Sequence, residues 1–276
     1  MKKSNTLKIA VAAQLIALGV IISSLSFIIP ISGIPAIRID LIIIPVILAG
    51  IMLGKLYGII VGTLVDIIAY FILFQGYGPF NPGFTINLAM TGFIAGFVFT
   101  FFRNSSEKKL FKIIKYISLS VFLFLFLYTV TLIITTSEIR FGPSVVAITN
   151  SGKLILILTV FAALLISMIF FFLIFKKEKF IKDESFYKYF LILTITEFFI
   201  IYNSSLWIEI YTEIPVYISV VSRFIRTTLL FPFKFMLLIF IVKASEKILY
   251  NDISFLNLEH SLKKTNFTKV NPTNEN

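Results

Sequence analysis

Long apolar runs, separated by short segments that carry most of the lysines and arginines, constrain the fold of this chain more than any other feature. A helix that crosses a bilayer needs about 20 mostly apolar residues. Apolar runs, some shorter or interrupted by polar residues, span residues 7–29, 41–53, 56–74, 85–102, 117–135, 154–175, 189–202 and 216–242. The sequence therefore predicts an all-α integral membrane protein with eight helices.

The composition agrees with lipid as part of the solvent. Hydrophobic residues make up 58% of the chain and charged residues 14%, and the mean hydropathy is +0.97. Soluble domains carry about 25% charged residues. The absence of cysteine excludes a disulfide framework, thiolate metal sites and a cysteine nucleophile. The single histidine, His260, lies in the polar C-terminal tail, so no metal site and no cofactor are predicted.

The distribution of basic residues predicts the orientation in the membrane. The first run is too long for a signal-peptide core and no A-x-A cleavage motif follows it, so we expect a retained helix. With the N-terminus inside, three of the 25 lysines and arginines fall on outer loops, three fall within the last run, and the remaining 19 lie on the inner side. This bias predicts that both termini are cytoplasmic. The net charge of +11 is scattered rather than gathered on one face, so no nucleic-acid partner is predicted.

No motif for ATP hydrolysis or other catalysis is present. The nearest approach to a phosphate-binding loop is Gly50-Ile-Met-Leu-Gly54-Lys55-Leu56, which has three residues between the glycines instead of four and Leu where Ser or Thr would hold magnesium. Neither an H-E-x-x-H nor a G-x-S-x-G motif occurs. We therefore predict that the chain is not an enzyme and has no catalytic residues.

Charged residues inside apolar runs are costly in lipid and indicate functional positions. At about 100° per residue, Arg223, Arg226 and Lys234 share one stripe of the last helix. This stripe is either a wall that accepts an anionic ligand or one side of internal ion pairs, and Lys234 could also extend toward the membrane surface. The carboxylates available for such pairs are Asp66, Glu197 and Glu209.

Three further patterns each allow two interpretations. Gly58-x-x-x-Gly62-x-x-x-Asp66 predicts close helix packing, with Asp66 as a structural partner or a ligand group. The segment 75–85, rich in Gly, Pro and aromatics, is a lid or a tight reversal. The polar and aromatic side chains that follow the seventh run are a membrane-interface anchor or line a pocket for a flat polar heterocycle. They are Asn203, Trp207 and Tyr211.

Several of these segments together resemble the substrate-binding S components of energy-coupling factor (ECF) transporters. Arg38-Ile-Asp-Leu-Ile-Ile-Ile-Pro45, followed by Leu48-Ala-Gly50-Ile-Met-Leu-Gly54, resembles the signature of the second helix in that family. Gly62-x-x-x-Asp66 fits the next helix. Ala13-x-x-x-Ala17, which alone is typical of ordinary helix packing, resembles the motif by which S components dock on their coupling subunit.

Two segments resemble the folate group of this family in particular. One is Phe80-Asn-Pro-Gly-Phe84-Thr85, which Gly92 and Gly96 follow. The other runs from Asn203 and Leu206-Trp207 through Arg223-Phe-Ile-Arg226 to Pro232. The resemblance extends over about residues 7–103 and 186–243, and its departures are the additional segment 104–185 and Gly54-Lys55 in place of the usual Gly-Pro.

The resemblance implies a six-helix module that binds a vitamin with high affinity and works with a transmembrane coupling subunit and two cytosolic ATPases in a bacterial plasma membrane. Transport in this family is thought to involve tipping of the S component. We accordingly expect residues 1–103 to form the first four helices, 104–185 an inserted helical pair, 186–244 the last two helices, and 245–276 a cytosolic tail.

Folate or a related pterin is the substrate that the resemblance favours, with another vitamin as the alternative. The substrate-binding residues expected are Arg38, Phe80, Phe84, Thr85, Asn203, Trp207, Tyr211, Arg223 and Arg226, with Asp66 as an ion partner and Ala13 and Ala17 as docking residues. A structural membrane protein of the rod-shape machinery is the rival hypothesis. A membrane enzyme is disfavoured because the buried charges form no nucleophile–base arrangement.

Overall fold

The computed structural model describes the backbone of residues 2–31, 34–39, 41–73, 80–102, 107–136, 138–141, 144–147, 149–176, 184–212 and 215–248. These residues form eight helices and two β-hairpins. The helices are α1 Lys2–Ser24, α2 Ile43–Leu53, α3 Lys55–Leu73, α4 Pro82–Phe102, α5 Glu107–Thr135, α6 Asn150–Lys176, α7 Glu184–Thr212 and α8 Val216–Ile248. The strands are β1 Phe27–Ile31, β2 Ile34–Ile39, β3 Glu138–Phe141 and β4 Ser144–Ala147.

The predicted helical membrane architecture is confirmed. Five helices within the described residues, α1, α3, α4, α7 and α8, are long and apolar enough to cross a membrane. Shorter apolar helical stretches lie at Ile43–Leu53, Phe126–Thr135 and Asn150–Ile166. Many large apolar side chains at the surface of these helices are exposed, as a helix that faces lipid requires.

The two β-hairpins were not predicted from the sequence. The first apolar run was expected to stay helical to residue 29, but α1 ends at Ser24 and Phe27–Ile31 pairs with Ile34–Ile39 in an antiparallel hairpin. The pairing register shifts between Ile29 and Pro30. Proline has no N–H for a helix or a strand ladder, and Pro30 and Pro35 therefore favour a short irregular hairpin over a longer helix.

Helix α2 is short because it is enclosed by the rest of the bundle. All of its residues, Ile43–Leu53, are buried. Pro45 lies in its first turn, where the missing N–H has no partner to lose. Gly54 ends the helix with φ 96° while its N–H binds the carbonyl of Gly50. Because glycine adopts this backbone angle without strain, α3 can begin at the next residue.

Helices α3 and α4 cross at glycines. A side chain at Gly58 would overlap the backbone of Gly92, and a side chain at Gly92 would overlap that of Gly58. One turn along α3, Gly62 lies against the backbone of Leu88. The predicted close packing of the Gly58-x-x-x-Gly62 pattern is therefore confirmed, with α4 as the partner helix.

The buried apolar side chains form two clusters. The larger cluster draws on α1–α4, α7 and α8. The smaller cluster joins α5 and α6 to α7 and α8 around Ile133, Val160, Ile201, Val220 and Phe224. Helices α5 and α6 chiefly contact each other, α7 and α8. The bundle of α1–α4, α7 and α8 thus has its own core, and the pair α5–α6 packs on one side of it.

Several segments lie outside the described residues. They include residues 249–276, which hold His260 and most of the predicted tail, and residues 74–79 of the predicted lid. The side chain of Arg38 is not described either, although its backbone belongs to β2. Lys188 was counted with the inner loops, but it lies within α7 and is buried.

Candidate functional site

Five structural elements meet at one end of the bundle, which we call the hairpin end. Helix α3 ends there, α4 begins there, α7 ends and α8 begins there, and β2 of the first hairpin contacts α8. Contacts between Asp66 and Thr85 and between Gly83 and Trp207 show that α3 and α7 each run antiparallel to α4. The hairpin end therefore brings together residues that are far apart in the sequence.

The first polar layer of this end contains the Asp66 carboxylate. The hydroxyl of Thr85 donates a hydrogen bond of 2.6 Å to Asp66 Oδ2. Thr85 lies in the first turn of α4, and Asn81 caps that helix by accepting a bond of 2.9 Å from the N–H of Gly83. The sequence left Asp66 open between a structural partner and a ligand group, and the hydroxyl of Thr85 was not foreseen as its partner.

Trp207 connects α7 to the start of α4. A side chain at Gly83 would overlap the indole ring, so only glycine leaves room for the ring to lie against the helix backbone. The ring of Tyr211 lies 6.5 Å from that of Trp207, one turn farther toward the hairpin end, and is about half exposed. These two aromatic rings form a surface beside the Asp66–Thr85 pair.

A second polar layer lies one helical turn deeper. Asn87 on α4 donates a hydrogen bond of 2.9 Å to the hydroxyl of Ser204 on α7, and both residues are buried. Asn203, the neighbour of Ser204, donates to the carbonyl of Phe199 in its own helix over 3.3 Å. This layer supplies a buried carboxamide and hydroxyl beneath the aromatic surface.

Two of the cations of α8 lie near the same level. Glu209 accepts a bond from the N–H of Val216, and Glu197 binds Lys234, so α7 and α8 run antiparallel. This register places Arg223 at about the level of Asn203. The Nε of Arg223 donates to the hydroxyl of Ser219 over 3.1 Å. Arg226, about one turn deeper, is 9% exposed.

Lys234 has a structural role. Its Nζ lies 2.7 Å from Glu197 Oε1, and both side chains are almost fully buried. The hydroxyl of Thr227 approaches the other carboxylate oxygen of Glu197 at 3.4 Å. The internal ion pair considered from the sequence is therefore confirmed for Lys234, which does not extend to the membrane surface.

The remaining predicted pocket residues lie at the same end. The backbone of Arg38 pairs with Ile28 in the hairpin whose second strand contacts α8. The ring of Phe80 packs against the last turns of α3, 5.1 Å from Tyr70 and 6.0 Å from Phe71. Phe84 is partly buried in the first turn of α4.

Ala13 and Ala17 lie on a different surface. Both are exposed on α1. The opposite face of α1 packs within the chain, where Ala12 and Leu15 are buried and Gly19 contacts Val65 of α3. Ordinary packing within this chain therefore does not account for the Ala13-x-x-x-Ala17 pattern. Within the described residues, no group of three or more metal-ligating side chains occurs.

Sequence reasoning missed Asn87, Ser204 and the Gly83–Trp207 contact. A signal for Asn87 was present, since Gly83, Asn87 and Thr91 recur every four residues on an otherwise apolar helix. Such spacing places small and polar residues on one face, and that face is buried here. Which helix that face meets depends on the tertiary arrangement.

Comparison with known proteins agrees with this picture at the level of the family. A family model for the ECF transporter, substrate-specific component, matches residues 7–175, which is more than half of the chain. The match includes most of the segment 104–185 that was expected to be an insertion, and it ends before α7. No curated protein and no solved structure matches the chain.

Proposed function

Because the chain belongs to the family of substrate-specific components of ECF transporters, we propose that it is the vitamin-binding subunit of an ECF importer, with folate or a related pterin as its substrate. The family establishes a membrane-embedded, substrate-binding transport subunit that associates with the other components of an ECF module. We propose that those components are a transmembrane coupling subunit and two cytosolic ATPases. The family match favours this function over the rod-shape hypothesis.

The contact between Trp207 and Gly83 is the observation that carries the proposal for the site. It brings the end of α7 to the start of α4, where Thr85 binds Asp66. The aromatic surface of Trp207 and Tyr211 then lies above the buried polar groups of Asn87 and Ser204. A flat heterocycle with polar edges is the ligand class that aromatic stacking and hydrogen bonding of this kind suit.

The arginines supply the second part of the proposed recognition. Arg223 and Arg226 lie on α8 near the level of Asn203, and Arg38 belongs to the hairpin that contacts this helix. The tail of folate carries carboxylates, which guanidinium groups bind through strong, often bidentate hydrogen bonds. In this proposal the pterin ring lies against Trp207 and the carboxylates pair with arginine, while Phe80 and Phe84 border the ring.

Calorimetry on the purified full-length protein tests the substrate. We expect folic acid to bind more tightly than pterin, which lacks the carboxylates. Arg223→Gln should weaken the affinity for folic acid by about tenfold to a hundredfold, which corresponds to the loss of one hydrogen bond to a charged group. The same change should leave pterin affinity unaltered. Binding of another vitamin without any folate binding would refute the substrate and leave the family assignment intact.

The exposed face of α1 is the proposed contact with the coupling subunit. Ala13→Leu together with Ala17→Leu should abolish uptake in cells and leave folic acid binding to the isolated subunit unchanged, because the added bulk keeps helices apart. Ala162→Leu on α6 is a matched control, since Ala162 is also exposed. It should preserve both uptake and binding, and loss of binding in the Ala13/Ala17 variant would show that these residues support the fold instead.

We further propose that the hairpin end faces outward and that both termini are cytoplasmic, in the plasma membrane of a bacterium. The excess of lysine and arginine on the other side supports this orientation. A fluorescent reporter that matures only in the cytoplasm should be active at the C-terminus and inactive when inserted between β3 and β4. The reverse result would contradict the orientation.

A further inference from the structure

The carboxamide of Asn87 makes a hydrogen bond through its nitrogen but not through its oxygen among the described residues. Its Nδ2 donates to the hydroxyl of Ser204 over 2.9 Å. Its Oδ1 is buried and has no hydrogen-bond partner in the part of the chain that the structure describes. The whole residue is 2% exposed. An acceptor buried without a donor is destabilising, so native proteins retain one mainly where it serves a purpose.

Two neighbouring hydroxyls do not share this property. The hydroxyl of Thr91, one turn deeper on the same face of α4, donates to the main-chain carbonyl of Asn87 over 2.8 Å. The hydroxyl of Ser205 donates to the carbonyl of Ile201 in its own helix over 2.7 Å. Each of these hydroxyls makes its hydrogen bond within its own helix. Asn87 instead bonds across to α7, and its Oδ1 accepts no hydrogen bond among the described residues.

Asn87 also lies directly below the aromatic surface of the proposed site. It is one turn deeper along α4 than Gly83, against which the ring of Trp207 packs. Its partner Ser204 is one turn deeper along α7 than Trp207. Because Oδ1 is out of reach of solvent, a ligand can contact it only after the side chains that cover it have moved.

We infer that Asn87 determines specificity by accepting a hydrogen bond from a ring N–H of the substrate, and that Trp207 covers this acceptor when the site is empty. The inference rests on the proposed function. It adds that Asn87 recognises the edge of the heterocycle that carries a hydrogen-bond donor. A heterocycle with such an edge gains the missing bond, whereas a ring that presents only acceptors leaves Oδ1 unpaired and is rejected.

Replacement of Asn87 tests the first half of the inference. Asn87→Leu keeps the same branching of the side chain and removes the acceptor, and we expect folic acid affinity to fall about tenfold or more. Ser204→Ala combined with Asn87→Leu removes both polar partners together, which avoids a new unpaired group. The double variant should unfold at the same temperature as the wild type or higher, yet bind as weakly as Asn87→Leu.

Ser205→Ala and Thr91→Val are the matched controls, because each removes a buried hydroxyl that is satisfied within its own helix. Both should bind folic acid within twofold of the wild type. Wild-type affinity in the double variant would overturn the inference, and so would equal losses of affinity in the controls. A role in folding alone would instead lower the unfolding temperature of the double variant.

Trp207 is the only tryptophan, so intrinsic fluorescence reports on the proposed cover. We expect folic acid to change the emission of Trp207 in the wild type, over the concentration range in which calorimetry detects binding. Binding without a change in emission would overturn the proposed movement. If the wild type binds none of folic acid, riboflavin, thiamine and biotin, the proposed function fails, whereas wild-type binding that Asn87→Leu retains refutes only the role of Asn87.

Discussion

At the residue scale, the charged residues of α8 differ in their surroundings. Lys234 is paired with Glu197 in the interior, while Arg223 and Arg226 lie closer to the hairpin end. A buried ion pair adds little to stability compared with apolar residues of the same shape, but losing one partner leaves a charge uncompensated. The pair is therefore expected to matter for folding rather than for substrate binding.

Substitution of this pair provides a test. Lys234→Met alone and Glu197→Gln alone should each destabilise the protein by about 3–5 kcal/mol, seen as a lower thermal unfolding temperature in detergent. The double variant should recover much of that loss. Lys243→Met, at an exposed position of the same helix, should change stability by less than about 0.5 kcal/mol. Single variants as stable as this control would contradict the argument.

At the element scale, glycines set the distance between helices. The Gly58-x-x-x-Gly62 pattern predicted a close contact, and the partner proved to be Gly92 and Leu88 of α4. Gly50 of α2 lies against the same stretch of α4, near Gly92 and Gly96. The three helices can approach because the glycines at these positions have no side chain, and this approach places Asp66 beside Thr85.

A methyl group at this crossing should force α3 and α4 apart. Ala is favoured over Gly in helices by about 1 kcal/mol, whereas overpacking costs about 1–3 kcal/mol. We expect the clash with the backbone of Gly92 to prevail in Gly58→Ala and to lower the unfolding temperature and folic acid affinity together. Ile60→Phe adds volume at an exposed position of the same helix and should change neither. If Gly58→Ala raised the unfolding temperature, the higher helix propensity of alanine would outweigh the clash with Gly92.

At the scale of the whole molecule, the two apolar clusters distinguish the helices that form the candidate site from the pair that packs beside them. The helices that meet at the candidate site are α3, α4, α7 and α8, whereas α5 and α6 belong to the smaller cluster. Helix α4 contacts α7 directly, and the rings of Phe99 and Tyr189 lie 6.4 Å apart at the end opposite the hairpins. The end of α4 and the start of α7 are therefore close enough for a short connection.

We predict that replacing residues 104–183 with a short Gly/Ser linker leaves a folded protein that binds folic acid within a few fold of the wild type. The faces of α7 and α8 that lose α5 and α6 would meet lipid, so their apolar residues incur little penalty. Size-exclusion chromatography and calorimetry check the two parts of this prediction. A folded variant without binding would place α5 or α6 in the site.

Deletion of residues 104–135 alone is the matched control for this experiment. Removing one helix instead of two would require α7 to enter the membrane in the opposite direction. Its antiparallel contacts with α4, Phe99 with Tyr189 and Asn87 with Ser204, could then not form. We expect this variant to be recovered only in aggregated form, and a folded product would contradict the helix order described here.

The sequence by itself determined the membrane setting, the helices and the close packing of α3, because run length, hydropathy and small-residue spacing are local properties. It also identified Trp207, Arg223 and Arg226 as unusual positions, since polar and charged groups stand out against apolar neighbours. It did not distinguish the role of Lys234 from that of the two arginines. A cation that binds a ligand and a cation in an internal ion pair can occupy the same face of a helix.

Only the tertiary structure decided which side chains meet. Asp66 with Thr85, Gly83 with Trp207, and Asn87 with Ser204 each join different helices, and no local pattern specifies which faces become neighbours. The hairpin after α1 likewise depends on the pairing of two strands. Hydropathy alone does not predict it, because an apolar segment can form either a helix or a strand. Hydrophobicity places segments in the membrane, whereas shape and hydrogen-bond complementarity between helices decide the site.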